Sequence, residues 1–188
     1  PILWHTLRCF DDHDGVDRIV VAIHRDDEAD FASATDGLRK VAPPVDGGSE
    51  RADSVWNALS SLAPADPDDL VLVHDAVRPW LSAALIDAVI TGTREHGAVI
   101  PVLPVTETIK QVDGGVVVGT PPRDRLFAAQ TPQGFRRLVL ERAYAARDTS
   151  RPATDEASLV EAAGTPVHVI EGEAQNVKIT NPQDLPAS

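Results

Sequence analysis

Apolar residues along this chain follow two rhythms. Leu3, Trp4, Leu7 and Phe10 recur every three or four positions, which puts them on one face of a helix over Ile2 to Phe10. Arg18 to Ile23 is instead a nearly unbroken β-branched run, which predicts a strand covered on both faces and paired in parallel. A polar helix follows over Asp26 to Leu38, then a strand at Val41 to Val45 that stops at Asp46-Gly47-Gly48. Val55, Ala58, Leu59 and Leu62 predict a helix over Ser54 to Leu62, and the Pro and Asp residues of Ala63 to Asp69 a turn. Leu70 to Val73 reads as the next strand. Leu81 to Arg94 reads as a helix burying Leu85, Ile86, Val89 and Ile90, and Ala98 to Leu103 as another strand. Alternating strands and helices predict an α/β fold with a mostly parallel mixed sheet flanked by helices.

The alternation breaks at Thr108 to Thr120, where Thr-Ile-Lys-Gln-Val, Asp-Gly-Gly and Val-Val-Val-Gly predict a β-hairpin with a glycine turn. A hairpin with little helix beside it cannot bury itself, so an arm at about 106–122 packing on a partner chain is expected, with a local lid as the alternative. Helices over Phe135 to Arg147 and Glu156 to Ala163, a strand at Val167 to Ile170 and a short strand at Asn176 to Thr180 complete the pattern. With 188 residues, 43% of them hydrophobic, one domain is expected over 1–188.

Charge narrows the function. The chain carries 17 Lys plus Arg against 29 Asp plus Glu, a formal charge of -12, so its general field repels nucleic acid and anionic membrane. Any phosphate must therefore be held by local design. The single cysteine, Cys9, excludes an internal disulfide, fits a reducing compartment and is expected to be a small buried apolar residue. No run approaches the ~20 apolar residues of a membrane span and no signal-peptide pattern opens the sequence, so a cytoplasmic protein is expected. The sequence begins on Pro1 and contains no methionine, from which a longer native chain is expected.

In parallel α/β sheets, ligands sit outside the carboxyl ends of the strands. Asp46-Gly47-Gly48-Ser49-Glu50-Arg51 follows one strand, where glycines allow a ligand close to the backbone. Ser54 either caps the next helix or meets a bound group. His74-Asp75-Ala76-Val77-Arg78-Pro79 follows another strand. An aspartate there is suited to Mg²⁺ beside an anionic ligand, and Arg78 offers a planar fork for phosphate or carboxylate. The alternative is an internal Asp75–Arg78 ion pair with a structural His74.

Zinc is disfavoured because the six histidines are dispersed and the one cysteine has no partner, and no Gly-x-Ser-x-Gly elbow supports a serine hydrolase. Thr154 or Asp155 would cap the helix that follows, and Lys178 in an apolar strand must face water or an anion. Arg78, Arg123 and Lys178 are the local candidates for holding phosphate.

Taken in order, DGGSERADSV, VLVHDAVRP, PVTETIK, AAQTPQGF, TDEASLVE and NVKITNPQDL resemble the successive motifs of the 2-C-methyl-D-erythritol 4-phosphate cytidylyltransferase family. The resemblance covers essentially the whole chain. It implies a Rossmann-like nucleotidyltransferase fold and a homodimer joined through the β-arm. The implied reaction converts CTP and methylerythritol phosphate, with Mg²⁺, into the CDP-alcohol and pyrophosphate.

By matching positions, Gly47, Gly48, Ser49 and Ser54 would surround the cytosine. Asp75, Ala76 and Arg78 would lie at the ribose, metal and methylerythritol end, with Asp75 the metal ligand. Thr108 would contact methylerythritol phosphate, Arg123 and Thr131 would reach its phosphate from the neighbouring subunit, and Thr154 would assist. Lys178 would position the attacking phosphate, so Arg123 and Lys178 are the implied catalytic residues. The family also begins with a strand and a loop of the Ala-Ala-Gly-x-Gly-x-Arg type, expected upstream of Pro1, and ends in a helix expected beyond Ser188. A cytidylyltransferase for another polyol phosphate, such as ribitol 5-phosphate, and a non-catalytic paralogue are the alternatives; a fusion to the next pathway enzyme is not visible.

Overall fold

The computed structural model describes residues 1–64, 66–150 and 153–185. Helix α1 (Ile2–Asp11) buries Leu7 and Phe10, as its spacing predicts. Strand β1 (Ala22–Ile23), helix α2 (Glu28–Ala34) and strand β2 (Val45–Asp46) follow. β1 and β2 pair in parallel with Ala22 opposite Val45, and an Ile19–Val41 bridge extends the ladder. Residues 19–23 are half-buried. This differs from the strand covered on both faces expected there; among the described residues the ladder has two strands.

Helix α3 (Arg51–Ser60), strand β3 (Leu70–Val73), helix α4 (Ala83–His96) and strand β4 (Ala98–Pro104) come next. Ser82 caps α4 by accepting from the Leu85 amide at 3.0 Å, and Gly97 ends it in the left-handed region at φ 84°. Strands β5 (Gln111–Asp113) and β6 (Val116–Gly119) form the expected hairpin. Its turn glycines, Gly114 and Gly115, have φ of 52° and 81°, the double positive φ of a two-residue hairpin loop. Val112, Val116, Val117 and Val118 on it are all more than half exposed.

Strands β7 (Phe127–Ala129) and β8 (Gln133–Arg136), helices α5 (Arg137–Ala145) and α6 (Glu156–Ala162) and strand β9 (His168–Glu171) complete the regular elements. β8 lies between β3 and β4 and pairs antiparallel with both, while β7 runs on along β4. β9 pairs with β4 in parallel. β3, β4 and β9 therefore share one direction, and the broken strand β7–β8 opposes them, giving the mostly parallel mixed sheet expected.

Other segments depart from the sequence reading. Phe135, expected to open a helix, lies in β8 opposite Val71 and Ala98 with its ring fully buried, so core burial overrides local helical spacing. Asn176 to Thr180 joins no ladder; its Ile179 amide donates to Val77 O at 2.9 Å, which ties the segment to the turn after β3.

β3 explains why an unbroken aliphatic run suits this sheet. Leu70 and Leu72 pack with Phe10, Leu85, Ile86 and Val89, while Val71 and Val73 pack with Phe135, Leu140, Leu159 and Val160. Successive side chains face opposite layers, α1 and α4 on one side and α5 and α6 on the other.

Candidate active site

At the end of β3 the backbone turns, with the Arg78 amide donating to Asp75 O at 3.1 Å. His74 braces this turn. Its Nε2 lies 3.1 Å from Arg78 O, which can only accept, so Nε2 carries the proton. Nδ1 then accepts from the Thr131 hydroxyl at 3.0 Å, and that oxygen accepts from the Asp75 amide at 3.1 Å. Burial lowers the His74 pKa to about 4, so the ring is neutral near pH 7. The structural role expected for His74 holds.

The turn aims Asp75 into a cluster of cations. Its Oδ2 lies 3.2 Å from Arg78 Nε and 3.3 Å from Lys178 Nζ, and its Oδ1 lies 3.6 Å from an Arg51 guanidinium nitrogen. Burial alone would raise the Asp75 pKa. The Lys178 charge, the Arg78 hydrogen bond and the Arg51 and Arg78 charges outweigh it and hold the carboxyl below its usual range. Arg78 is buried, and its Nη1 donates to Asn176 O at 2.7 Å. The internal Asp75–Arg78 ion pair therefore exists, and it sits within the polar cluster. Lys178 keeps 45% of its side chain exposed, so its ammonium meets both Asp75 and solvent.

Arg51 and Glu156 also belong to this centre, and neither stood out in the sequence. Arg51 Nη1 donates to both Glu156 oxygens at 2.7 Å, and the Tyr144 hydroxyl donates to Glu156 Oε1 at 3.2 Å. Glu156 is fully buried although it opens α6, where an acidic residue ordinarily reads as a solvated complement to the helix dipole. The signal available was that Arg51 lies within DGGSERADSV and Glu156 within TDEASLVE. Their pairing is a tertiary fact.

The glycine loop before α3 is tied to the protein itself. Gly47 N donates to Ile23 O at 2.8 Å, Gly48 N to Ser54 Oγ at 3.0 Å, and Ser49 Oγ to Asp53 Oδ2 at 2.7 Å. α3 starts at Arg51 with a reciprocal Glu50–Asp53 capping box, so Ser54 does not cap it and instead fastens the loop. A β-carbon on Gly48 would lie 2.2 Å from Asp53 Cβ, so glycine is required here by the loop's approach to its own helix. Asp155, not Thr154, caps α6 by accepting from Ser158 N at 2.9 Å; Thr154 is exposed.

The remaining expected residues divide. Thr131 is buried, and its hydroxyl donates to His74 Nδ1 and accepts from the Asp75 amide of the same chain. Ala76 is exposed at the turn, and its carbonyl accepts from Thr6 Oγ1 at 2.7 Å. Thr108 lies at the start of the hairpin arm and Arg123 in the 3-10 turn just after it, both exposed, and the Arg123 guanidinium donates to Thr106 O. Among the described residues, no group of three or more His, Cys, Asp or Glu could hold a metal, and no helix is long and apolar enough to cross a membrane.

The centre thus gathers Arg51, Arg78 and Lys178 around Asp75 and Glu156, a local cationic excess within a chain of charge -12. Such a site can hold polyanions and neutralise charge that shifts between oxygens.

A model of the 2-C-methyl-D-erythritol 4-phosphate cytidylyltransferase family, IspD, matches residues 1–188. A protein of that name from Alkaliphilus metalliredigens is 44% identical, over 98% of this chain and 78% of its own length. A bifunctional enzyme IspD/IspF from Nitrobacter hamburgensis is 45% identical over 98% of this chain, which spans 46% of that protein. The crystal structure of 2-C-methyl-D-erythritol 4-phosphate cytidylyltransferase from Thermus thermophilus superposes with a TM-score of 0.83 at 38% identity, covering 97% of this chain and 84% of that one.

Proposed function

Because the chain belongs to the 2-C-methyl-D-erythritol 4-phosphate cytidylyltransferase family, we infer that its Asp75 centre is where CTP meets methylerythritol phosphate. The activity is CTP-dependent nucleotidyl transfer in isoprenoid biosynthesis, and the ribitol phosphate alternative is not favoured by the family match or the named relatives. A phosphate oxygen of methylerythritol phosphate attacks the α-phosphorus of CTP, the bond to the bridging oxygen of the β-phosphate breaks, and pyrophosphate leaves with that electron pair.

Both reactants are anions, so the protein's task is alignment and charge neutralisation. The observation that carries this reading is the Lys178–Asp75–Arg51 cluster, built by three separated motif blocks. Lys178, half in solvent, holds the attacking phosphate near the α-phosphate. The loop of Gly47, Gly48 and Ser49, with Ser54 behind it, borders the cytosine, and Asp75 and Ala76 face the ribose and the alcohol.

Asp75 fits a magnesium ion as a lone protein carboxylate, since Mg²⁺ typically takes one or two carboxylates and completes its shell with phosphates and water. Asp75 is the residue that would hold it. When bound, the ion would supply neutralisation of the phosphate charge.

The exposed valines of the β5–β6 arm support a homodimer, each arm packing on the partner. Across that contact Arg123, Thr108 and Thr154 would attend the methylerythritol phosphate. The test is pyrophosphate release by the full-length protein from CTP with methylerythritol phosphate or with ribitol 5-phosphate. Turnover with the first is expected, and turnover with ribitol phosphate alone would overturn the assignment.

A further inference from the structure

We propose that Glu156 is a positioning residue for nucleotidyl transfer, acting through Arg51 to set the geometry around Asp75. The inference rests on the functional reading above. Glu156 is fully buried and so cannot touch a substrate, yet its two oxygens take Arg51 Nη1 at 2.7 Å each, across 105 residues of chain. A guanidinium is planar, so holding one nitrogen against a fixed carboxylate directs the other. That other nitrogen lies 3.6 Å from Asp75 Oδ1.

A purely structural ion pair would consume the guanidinium. Here a second edge, on a side chain 38% exposed, is left facing the site. The carboxylate is itself held: Tyr144 OH donates to it, and burial together with the Glu156 charge raises the Tyr144 pKa, so the phenol keeps its proton.

Arg51 also opens α3 immediately after the glycine loop. Glu156 thereby locks the loop's helix, the α6 N-terminus and the Asp75 turn to one another. Without its charge, Asp75 is the remaining carboxylate beside Arg51, and the guanidinium closes onto it, withdrawing both groups from the nucleotide.

The test uses the full-length protein carrying Glu156→Gln, Arg51→Ala or both, with folding followed by circular dichroism. Glu156→Gln is expected to lower kcat/KM for CTP about 10- to 100-fold, the scale of one charged hydrogen-bonded partner, with KM for methylerythritol phosphate unchanged. Arg51→Ala combined with Glu156→Gln should match Arg51→Ala alone within about twofold, because a residue acting only through Arg51 has nothing left to act on.

Wild-type kcat/KM in folded Glu156→Gln, or losses that multiply in the double variant, would overturn the proposal. Should Glu156→Gln not fold, Arg51→Lys reads the same relation, since it keeps the charge without the fork. A loss matching Arg51→Ala is expected, and wild-type activity overturns the idea. A wild-type protein that transfers no cytidylyl group would overturn the functional reading and this inference with it.

Discussion

Replacing Lys178 by alanine separates a catalytic from a structural role for the Asp75 centre. The backbone at 176–179 is held without the lysine side chain: Asn176 O accepts from Arg78, Asn176 Nδ2 donates to Thr131 O at 2.8 Å, and Ile179 N donates to Val77 O at 2.9 Å. What the substitution removes is one ammonium, 3.3 Å from Asp75 Oδ2 and 45% exposed. Solvent screening at that exposure keeps its contribution to stability below ~1 kcal/mol. For a chain of this size that is a melting shift of roughly 2–4 °C. A preorganised cation facing charge that develops during the reaction is worth far more, about 10²–10³ in turnover.

The expected signature is therefore a kcat about 100-fold lower in a protein that melts within a few degrees of wild type. Pyrophosphate release at saturating CTP and methylerythritol phosphate reads the first quantity and a thermal melt the second. Lys178→Arg should recover part of the loss by restoring the charge with different geometry. Wild-type kcat in Lys178→Ala would refute the role, and so would a melting temperature that collapses along with activity.

Gly48→Ala must displace the loop or α3, because the new β-carbon would sit 2.2 Å from Asp53 Cβ. A stability loss of about 1–3 kcal/mol is expected by the general cost of overpacking, with weaker CTP binding in calorimetry; unchanged melting and binding would contradict the close approach. His74 predicts a pH dependence. Its pKa is about 4 in the fold against the ordinary 6.5 of a histidine, so between those values the unfolded chain binds more protons and stability falls as pH is lowered. Denaturant melts from pH 7.5 to 4.5 should show His74 contributing up to ~3 kcal/mol of that loss, and His74→Gln should flatten the slope; identical slopes would refute it. For the proposed homodimer, Val117→Asp on the exposed arm should give a monomer in sedimentation, with circular dichroism unchanged, whereas a sedimentation coefficient equal to that of the unsubstituted protein would argue against the arm as the interface.

Periodicity located most elements because it reports burial directly. α1, α4, β3, β4 and the hairpin lie within a few residues of where their apolar spacing puts them. It missed β7 and β8. Neither carries an alternation of its own: β8 becomes strand because β3 and β4 offer a slot between them for an antiparallel segment, and β7 because it pairs antiparallel along β4. The helix expected from Phe135 yielded to a ring that the core takes whole.

The site divides along the same line. Asp75, Arg78 and Lys178 were legible because charged residues at the ends of apolar runs are conspicuous, and because short blocks fix which residues share a turn. The order of those blocks was enough to suggest the family, since each is local chemistry written in contiguous residues. Arg51 with Glu156, and Thr131 with His74, were decided only by tertiary structure. A carboxylate at a helix start looks solvated until a distant guanidinium and a tyrosine bury it, and a threonine looks free until a histidine 57 residues away accepts its hydrogen bond. Burial and pairing at long range belong to the packed chain, which is why composition and spacing name the candidate groups while the fold decides their partners.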